Sequence, residues 1–361
     1  MADIQAQVEN ILRDLVESGR ESGVQVAAYL QGELIVDAYA GEAVDSGSLL
    51  PSYSTGKGVT STLVHVLAER GMLDYDTPLA HYWPEFAVHG KHRATVRDAL
   101  THRTGVPHLP PAITPEELFD WDGMAALVAG QEPLWEPGSA TGYHGWTFGW
   151  VLGETVRRVT GLTVSEALRT YVTEPLGVAD SLFYGVPEEH LGRVVPLVPG
   201  GWEEALGRIP SAAPFFQAIP NADVWPTARL ANRPGFLRAD LPAAVTMTAR
   251  AAARMYAALL GEVDGVRLVP AERLPLLYEI QTREPDRILG NPVTKGLGYF
   301  LDAAPMGGEP TAFGHNGSGG SIAFADPRRG LSFAFTCSLL TAGADDTSAQ
   351  DLADAVRAAV D

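Results

Sequence analysis

The stretch that decides the fold is PSYSTGKGVTSTLVHVLAERG, residues 51–71. Its Gly-Lys pair resembles part of a phosphate-binding loop, but the serine three positions before the lysine could instead be an acylation centre. A phosphate-binding loop needs a glycine, four further residues and then Gly-Lys-Ser/Thr. Pro51 stands where the first glycine belongs, and Gly58 stands where the magnesium-binding hydroxyl belongs. The phosphate interpretation therefore fails at two positions.

The second interpretation rests on Ser54 and Lys57, which form a Ser-x-x-Lys pair at the start of a predicted helix over 54–70. Residues three apart in a helix lie on one face, so the amine can approach the hydroxyl. A serine hydroxyl is a weak nucleophile that needs a base, and partial burial lowers a lysine pKa enough to supply one. The four letters alone are equally compatible with a serine N-cap followed by a solvated lysine.

The composition is that of a globular protein, with 361 residues of which 46% are hydrophobic and 19% are charged. The 44 acidic residues outnumber the 26 basic ones, so a nucleic-acid partner is not expected. The segment MADIQAQVENILRDL has no apolar leader region, and no run of about 18 apolar residues occurs, so a cytoplasmic protein without a membrane span is expected. The single cysteine, Cys337, excludes an internal disulfide framework and is expected to be buried.

Hydrophobic periodicity places strands near both ends of the chain and helices between them. The predicted helices cover 4–16, 54–70, 150–159, 248–260 and 349–360. The predicted strands cover 24–30, 34–41, 296–301, 311–317, 321–326 and 331–337. The proline-rich segment 180–242 is expected to form loops over a cleft. These patterns predict an α+β fold in which the two chain ends build one antiparallel sheet beside a helical insertion.

Further segments support the interpretation of the Ser-x-x-Lys pair as an acylation centre. They are TVRDALTHRTGVP (95–107), EPGSATGYHGWTFGWVLGETVRRVTG (136–161) and FGHNGSGGSIAFADPRRGLSFAF (313–335). Together with the opening stretch and the hairpin at 23–41, they resemble the serine β-lactamase and penicillin-binding-protein superfamily, in its class C-like branch that includes family VIII carboxylesterases. The resemblance covers most of residues 23–340 in the right order.

The resemblance implies a β-lactamase/transpeptidase-like fold, with an antiparallel sheet flanked by helices and a helical second domain. The expected domains are 1–65 plus 285–361, which contain the sheet, and 66–284, which is mainly helical with long loops over the cleft. In that fold Ser54 is the nucleophile and Lys57 its partner. Tyr143 matches the tyrosine of the Tyr-x-Asn motif, and as a phenolate stabilised by lysine it would take the Ser54 proton and deliver it to the leaving group. The backbone N–H groups of Ser54 and Ser318 would form the oxyanion hole.

The sequence departs from the family pattern at Gly145, which occupies the position of the Tyr-x-Asn asparagine. Glycine has no amide to hold the side-chain carbonyl of a β-lactam or to steady Lys57. Recognition of a penicillin is therefore not expected. His144 or Trp146 is expected to line the pocket instead.

A second departure lies at 315–317, where His-Asn-Gly replaces the family's Lys-Thr-Gly. His315 is mostly neutral at pH 7, whereas a lysine would offer a fixed positive charge to a substrate carboxylate. Gly317 is expected to let the strand edge approach a substrate closely. The missing positive charge at His315 favours neutral esters over β-lactams and peptides.

The function expected from these residues is a serine hydrolase that cleaves small carboxylic esters or amides through an acyl-enzyme. The alternatives are a transacylase that passes the acyl group to an amine or alcohol in biosynthesis, and a weak β-lactamase or peptidase. A catalytically idle binding protein is disfavoured because Ser54, Lys57 and Tyr143 are all present. Neither a metal nor an organic cofactor is implied, since His89, His92, His102 and His108 lack H-E-x-x-H spacing. The oligomeric state is not set by the sequence.

Overall fold

The computed structural model describes residues 4–342 and 347–361, and its mixture of helices and strands confirms the α+β class. The predicted domain limits include residues 1–3 and 343–346, which lie outside the described residues. The strands are β1 (Val24–Leu30), β2 (Glu33–Ala40), β3 (Leu50–Pro51), β4 (Leu182–Phe183), β5 (Thr246–Met247), β6 (Phe313–Asn316), β7 (Ile322–Asp326) and β8 (Leu331–Cys337).

The helices of the described residues all lie outside the main sheet. They are α1 (Ile4–Glu17), α2 (Thr55–Glu69), α3 (Leu79–Tyr82), α4 (Val96–Leu100), α5 (Pro115–Leu118), α6 (Trp121–Gly130), α7 (Thr147–Thr160), α8 (Val164–Leu168), α9 (Gly201–Arg208), α10 (Pro214–Ala218), α11 (Ala228–Ala231), α12 (Pro234–Arg238), α13 (Ala249–Leu260), α14 (Leu274–Tyr278) and α15 (Ser348–Val360). The five helices predicted from periodicity are confirmed as α1, α2, α7, α13 and α15.

The main sheet has the strand order β2-β1-β8-β7-β6, and every neighbouring pair is antiparallel. Side chains alternate between its two faces, with helices α1 and α15 packing on one face and α13 on the other. Ala27, Ala334 and Ala323 lie opposite one another across three strands beneath α13. These small side chains let the alanine-rich helix pack closely on the sheet. The two chain ends therefore build one sheet, as predicted.

Two predictions about local structure are wrong. The stretch 296–301 is not a strand, because Gly298 has φ +89° and the chain turns, leaving only isolated bridges that involve Lys295 and Phe300. The segment 180–242 is not all loop, since it contains α9 to α12. Prolines begin α10 and α12 there, at positions of the first turn where a missing N–H costs nothing.

Helix α2 lies between the sheet and the helices of the middle segment, with α7 on one side and β6 and β7 on the other. Every residue from Thr55 to Leu67 is buried. Polar side chains in its middle are satisfied locally, as when Ser61 donates to the carbonyl oxygens of Lys57 and Gly298 at 2.8 Å each. A helix buried on all sides is a rigid support for whatever stands at its first turn.

The N-terminus of α2 is held in place by the short sheet β3-β5-β4, in which Ser52 donates its N–H to the Val245 carbonyl at 2.7 Å. Helix α13, although it belongs to the segment 66–284, packs on the main sheet. The division into two domains stays a prediction.

No helix among residues 4–342 and 347–361 is long and apolar enough to cross a membrane. The cytoplasmic location also stays a prediction.

Candidate active site

Ser54 stands at the N-terminus of α2, directly after a residue with an unusual backbone. Tyr53 has φ +42°, in the left-handed region that costs a non-glycine residue free energy unless its surroundings hold it. Its buried ring packs against Trp146 and Phe236, and its hydroxyl donates to the Thr227 carbonyl at 2.5 Å. These contacts stabilise the turn that places Ser54, which is partly exposed, at the wall of a cleft.

The side chains of Ser54, Lys57 and Tyr143 meet at the Ser54 hydroxyl. The Nζ atom of Lys57 and the Oη atom of Tyr143 each lie 2.9 Å from Ser54 Oγ. Lys57 Nζ also lies 3.4 Å from the Ala243 carbonyl oxygen and 4.8 Å from the centre of the Tyr143 ring. The structure thus brings together the serine, the lysine one turn along the helix, and a tyrosine 89 positions away in sequence.

The lysine and the tyrosine have pKa values shifted in opposite directions, both mainly by burial. Burial lowers the pKa of Lys57 well below its ordinary value. Burial raises the pKa of Tyr143, the negative charge of Asp286 adds to that, and the hydrogen bond to Ser54 opposes it. Burial thus favours the neutral amine of Lys57 and the protonated phenol of Tyr143, and both groups face the same serine oxygen.

The cleft beside Ser54 has a volume of about 180 Å³ and walls that are mainly aromatic and aliphatic. Its apolar lining includes Tyr53, Trp146, Trp202, Phe215, Ile219 and Phe300. The residues Trp202, Phe215 and Ile219 come from the segment 180–242, so part of that segment does lie over the cleft. Clefts with mainly apolar walls and a few polar groups are typical of small-molecule sites.

The residues expected near the Tyr-x-Asn position divide into two groups. Gly145 and Trp146 line the cleft, and a Cβ atom at Gly145 would lie 2.9 Å from Cδ1 of Ile219. Of the two candidates for the pocket wall, Trp146 lines the cleft, whereas His144 is not among the cleft-lining residues. Its Nδ1 atom lies 2.6 Å from the Gly142 carbonyl and its Nε2 atom accepts from the Val106 N–H at 3.2 Å. Both ring nitrogens of His144 are therefore engaged by backbone groups, those of Gly142 and Val106.

His315 and Gly317 lie at the end of β6, the edge strand of the main sheet. Burial lowers the pKa of His315 to about 3, with the nearby Lys57 adding to the effect, so the imidazole is neutral. Its Nδ1 atom lies 2.7 Å from the Asn316 carbonyl, its ring stacks on Phe300, and its Nε2 atom is buried without a hydrogen-bond partner in the described part of the chain. A Cβ atom at Gly317 would lie 2.2 Å from the Ser52 carbonyl oxygen. This glycine thus lets β6 approach the chain just before Ser54.

Ser318 also lines the cleft, opposite the first turn of α2. Its neighbours Gly317 and Gly320 are joined by a backbone hydrogen bond, and Gly317 donates to the Ser321 carbonyl at 2.6 Å. The amides of Ser54 and Ser318 are therefore carried by two rigid elements, a helix N-terminus and the turn after β6. No group of three or more His, Cys, Asp or Glu residues is placed to hold a metal ion in the described residues.

Three residues near Tyr143 were missed by the sequence reasoning: His102, Asp286 and Lys295. From its spacing His102 is considered only as a possible metal ligand, yet its buried ring lies 5.1 Å from the Tyr143 ring and its Nδ1 atom accepts from the His144 N–H. The segment 95–107 that resembles the family could have indicated it. Asp286 and Lys295 form a buried ion pair with a distance of 2.7 Å, for which no sequence motif gave a signal.

Comparison with known proteins identifies the family of this chain. Residues 8–358 match the family profile described as Beta-lactamase. The chain is 35% identical over 333 residues to the esterase/beta-lactamase LipL of Mycobacterium tuberculosis (strain ATCC 25618 / H37Rv), covering 87% of this chain and 76% of that relative.

Solved structures give the same result. A family VIII carboxylesterase superposes with a TM-score of 0.87 at 30% identity over 97% of both chains. A penicillin-binding-protein homologue from Caulobacter crescentus gives a TM-score of 0.86 at 33% identity, over 99% of this chain and 97% of that one. The chain belongs to the β-lactamase family, and it is a serine hydrolase with the β-lactamase/transpeptidase-like fold that the sequence predicted.

Proposed function

We propose that this hydrolase is a carboxylesterase that cleaves small neutral esters through an acyl-enzyme on Ser54. The observation that carries the proposal is the pair of 2.9 Å distances from Ser54 Oγ to Lys57 Nζ and Tyr143 Oη, at the wall of an apolar cleft. The similarity to proteins described as an esterase/beta-lactamase and a family VIII carboxylesterase supports the same reaction class.

Lys57 is the base in the acylation step. Because burial lowers its pKa, the neutral amine is available to take the Ser54 proton as Oγ attacks the ester carbonyl carbon. The carbon–oxygen bond to the alcohol then breaks, and the leaving oxygen takes a proton from the Tyr143 phenol. The proton held by Lys57 returns to Tyr143, whose ring centre lies 4.8 Å from Nζ. This order differs from a phenolate acting first, since burial keeps the phenol protonated.

The negative charge on the carbonyl oxygen is stabilised by the backbone N–H groups of Ser54 and Ser318. Both residues line the cleft, and the N-terminus of α2 adds the partial positive charge of the helix dipole. One such donor is typically worth about 3 kcal/mol in the transition state. In deacylation a water molecule loses a proton to Lys57 as its oxygen attacks the acyl carbon. The bond from that carbon to Ser54 Oγ then breaks, the acid is released, and Oγ takes the proton back from Lys57.

The cleft favours substrates without a carboxylate. None of its lining residues, all within the described residues, is a lysine or arginine, and the buried His315 has a pKa of about 3. A carboxylate placed there would lose its hydration without gaining a counter-charge. Ile219 also fills the space beside Gly145 where the family asparagine would project. Both features weigh against β-lactams and peptides.

One observation favours acyl transfer as a second candidate. A neighbouring cleft of about 460 Å³ shares Trp202, Phe300, Asn316 and Gly317 with the first. It offers room for an acceptor amine or alcohol next to the acyl-enzyme. Product analysis with p-nitrophenyl butyrate and added amines separates the two candidates, since a pure hydrolase gives the same yield of butyric acid at every amine concentration.

The proposal is tested by intact-protein mass after reaction with a fluorophosphonate, and by nitrophenol release from p-nitrophenyl butyrate. The wild-type protein is expected to carry one adduct that maps to Ser54 and to show an initial burst or steady turnover. Ser54→Ala is expected to lose both. Ser52→Ala is a matched control, because Ser52 is buried two residues earlier and its hydroxyl donates to the Leu50 carbonyl. Equal nitrophenol release by wild type and Ser54→Ala would overturn the proposal.

A further inference from the structure

Behind Tyr143, on the side away from Ser54, lies an ion pair with no role in the chemistry described above. Asp286 Oδ2 and Lys295 Nζ lie 2.7 Å apart, and the two side chains are 0% and 1% exposed. Burial opposes ionisation of the carboxyl, but Lys295 and the surrounding amide donors hold the pKa of Asp286 below its ordinary value. The pair is therefore charged within the protein interior.

The other carboxylate oxygen of Asp286 accepts three backbone N–H groups. Asp286 Oδ1 lies 2.9 Å from the Tyr143 nitrogen, 2.9 Å from the Ile288 nitrogen and 2.8 Å from the Leu289 nitrogen. Leu289 lines the cleft. One side chain thus fixes the main chain of the tyrosine relative to a wall of the substrate site.

Lys295 fixes the same loop two residues earlier. Its Nζ atom donates to Thr141 Oγ1 at 2.9 Å, and that hydroxyl donates to the Thr101 carbonyl at 3.0 Å. The Arg287 N–H also donates to the Thr141 carbonyl at 3.0 Å. The loop that carries Tyr143 is therefore held on both sides by the Asp286–Lys295 pair and its immediate neighbours.

We propose that Asp286, oriented by Lys295, is a positioning residue for Tyr143, and that it holds the phenol at hydrogen-bonding distance from Ser54. Neither charged group touches Ser54 or lines the cleft, so the effect acts through the tyrosine main chain. Replacing a buried ion pair by apolar residues often leaves stability unchanged, so fold stability is a weak reason for this arrangement. A displacement of about 1 Å in a catalytic group can cost about 100-fold in rate. The inference rests on the proposed function, because it assigns Tyr143 a proton-transfer role.

The experiment compares Asp286→Ala with Asp286→Asn and with a matched control at the far end of the sheet. Asp326 is 1% exposed. It likewise accepts hydrogen bonds from two backbone N–H groups, those of Arg328 and Arg329, and from the Arg329 guanidinium cation. Asp326→Ala therefore removes the same kind of interaction without touching the Tyr143 loop. Kinetics with p-nitrophenyl butyrate and thermal unfolding are measured for all variants.

Asp286→Ala is expected to lower kcat about 100-fold while KM stays within about threefold, because binding is retained and proton transfer is misaligned. Asp286→Asn can still accept the three amides through its carbonyl oxygen, so it is expected to recover about tenfold of that loss. Asp326→Ala is expected to keep its kcat even where its melting temperature falls.

Two results overturn the inference: a kcat near the wild-type value in both Asp286 variants, or an equal loss of kcat in Asp326→Ala. If Asp286→Ala does not fold, the Asn variant decides, since it preserves the shape and the amide acceptor and is still expected to lose about tenfold in kcat. The proposed function fails separately, when the wild-type protein itself shows no turnover that depends on Ser54.

Discussion

Two buried lysines lie on opposite sides of Tyr143, and they differ in the charge beside them. Lys57 is fully buried with its Nζ atom next to the Ser54 hydroxyl and the Ala243 carbonyl. Lys295 is equally buried, but its Nζ atom lies 2.7 Å from the Asp286 carboxylate. Burial is therefore the same in both, and the carboxylate is the difference.

The difference fits the roles proposed for the two lysines, one as a base and the other as a structural cation. Burial alone acts on Lys57, and its pKa falls well below the ordinary value. Burial also lowers the pKa of Lys295, but the charge of Asp286 and its hydrogen bond oppose that effect. The environment of Lys57 suits an amine that must accept a proton, whereas that of Lys295 suits a cation that must orient a carboxylate.

The largest expected effect of replacing the two lysines is on turnover. Lys57→Met removes the base and is expected to lower kcat about 10³-fold or more, while Lys295→Met only disturbs the placement of Tyr143 and is expected to cost about tenfold. Methionine keeps most of the buried volume at both sites. The measurement is steady-state turnover of p-nitrophenyl butyrate at neutral pH. Similar losses in the two variants would show that the two lysines do not differ in role.

The second expected effect is on stability, and it has opposite signs at the two sites. Lys57→Met removes a buried amine that lacks a carboxylate partner and is expected to raise the free energy of unfolding by about 1–2 kcal/mol at pH 7. Lys295→Met leaves the Asp286 carboxylate without its counter-charge and is expected to lower the free energy of unfolding by about 3–5 kcal/mol. Denaturant unfolding of both variants beside wild type measures the difference.

The pH dependence sharpens the result for Lys57. Because its folded pKa is lowered, the unfolded chain binds a proton that the folded chain lacks at pH values between the lowered pKa and about 10.4. The stability contributed through this group therefore rises with pH over that range. The advantage of Lys57→Met over wild type should shrink as the pH rises from 7 towards 10. An advantage that does not change with pH would mean that Lys57 is charged in the folded protein.

The part of the site that could be predicted from sequence is local or carried by the family resemblance. Ser54 and Lys57 are one helical turn apart, so their approach follows from the geometry of α2. Tyr143 lies 89 positions from Ser54, and only the resemblance indicated it. The sheet was predictable because β1, β2, β7 and β8 have simple apolar patterns, whereas 296–301 has the same composition but turns at Gly298.

The rest depends on contacts that a single sequence does not encode in any short pattern. Asp286 approaches Tyr143 from 143 positions away, and a lone Asp or Lys in a loop is usually solvated. His144 and Trp146 are two residues apart and both plausible as pocket walls by type. The folded contacts decide between them, because His144 binds the Gly142 carbonyl and the Val106 amide of a distant segment, while Trp146 lines the cleft.

The smallest expected effect concerns the departure at Gly145. A Cβ atom there would lie 2.9 Å from Cδ1 of Ile219, the far end of a flexible side chain, so Gly145→Ala should displace Ile219. We expect KM for p-nitrophenyl butyrate to rise about threefold with kcat unchanged, and the stability to fall by about 1 kcal/mol. Ile219→Val removes the contacting methyl group, so in the double variant the two effects should compensate rather than add. A KM in the double variant as high as in Gly145→Ala alone would show that Ile219 does not set the space at this position.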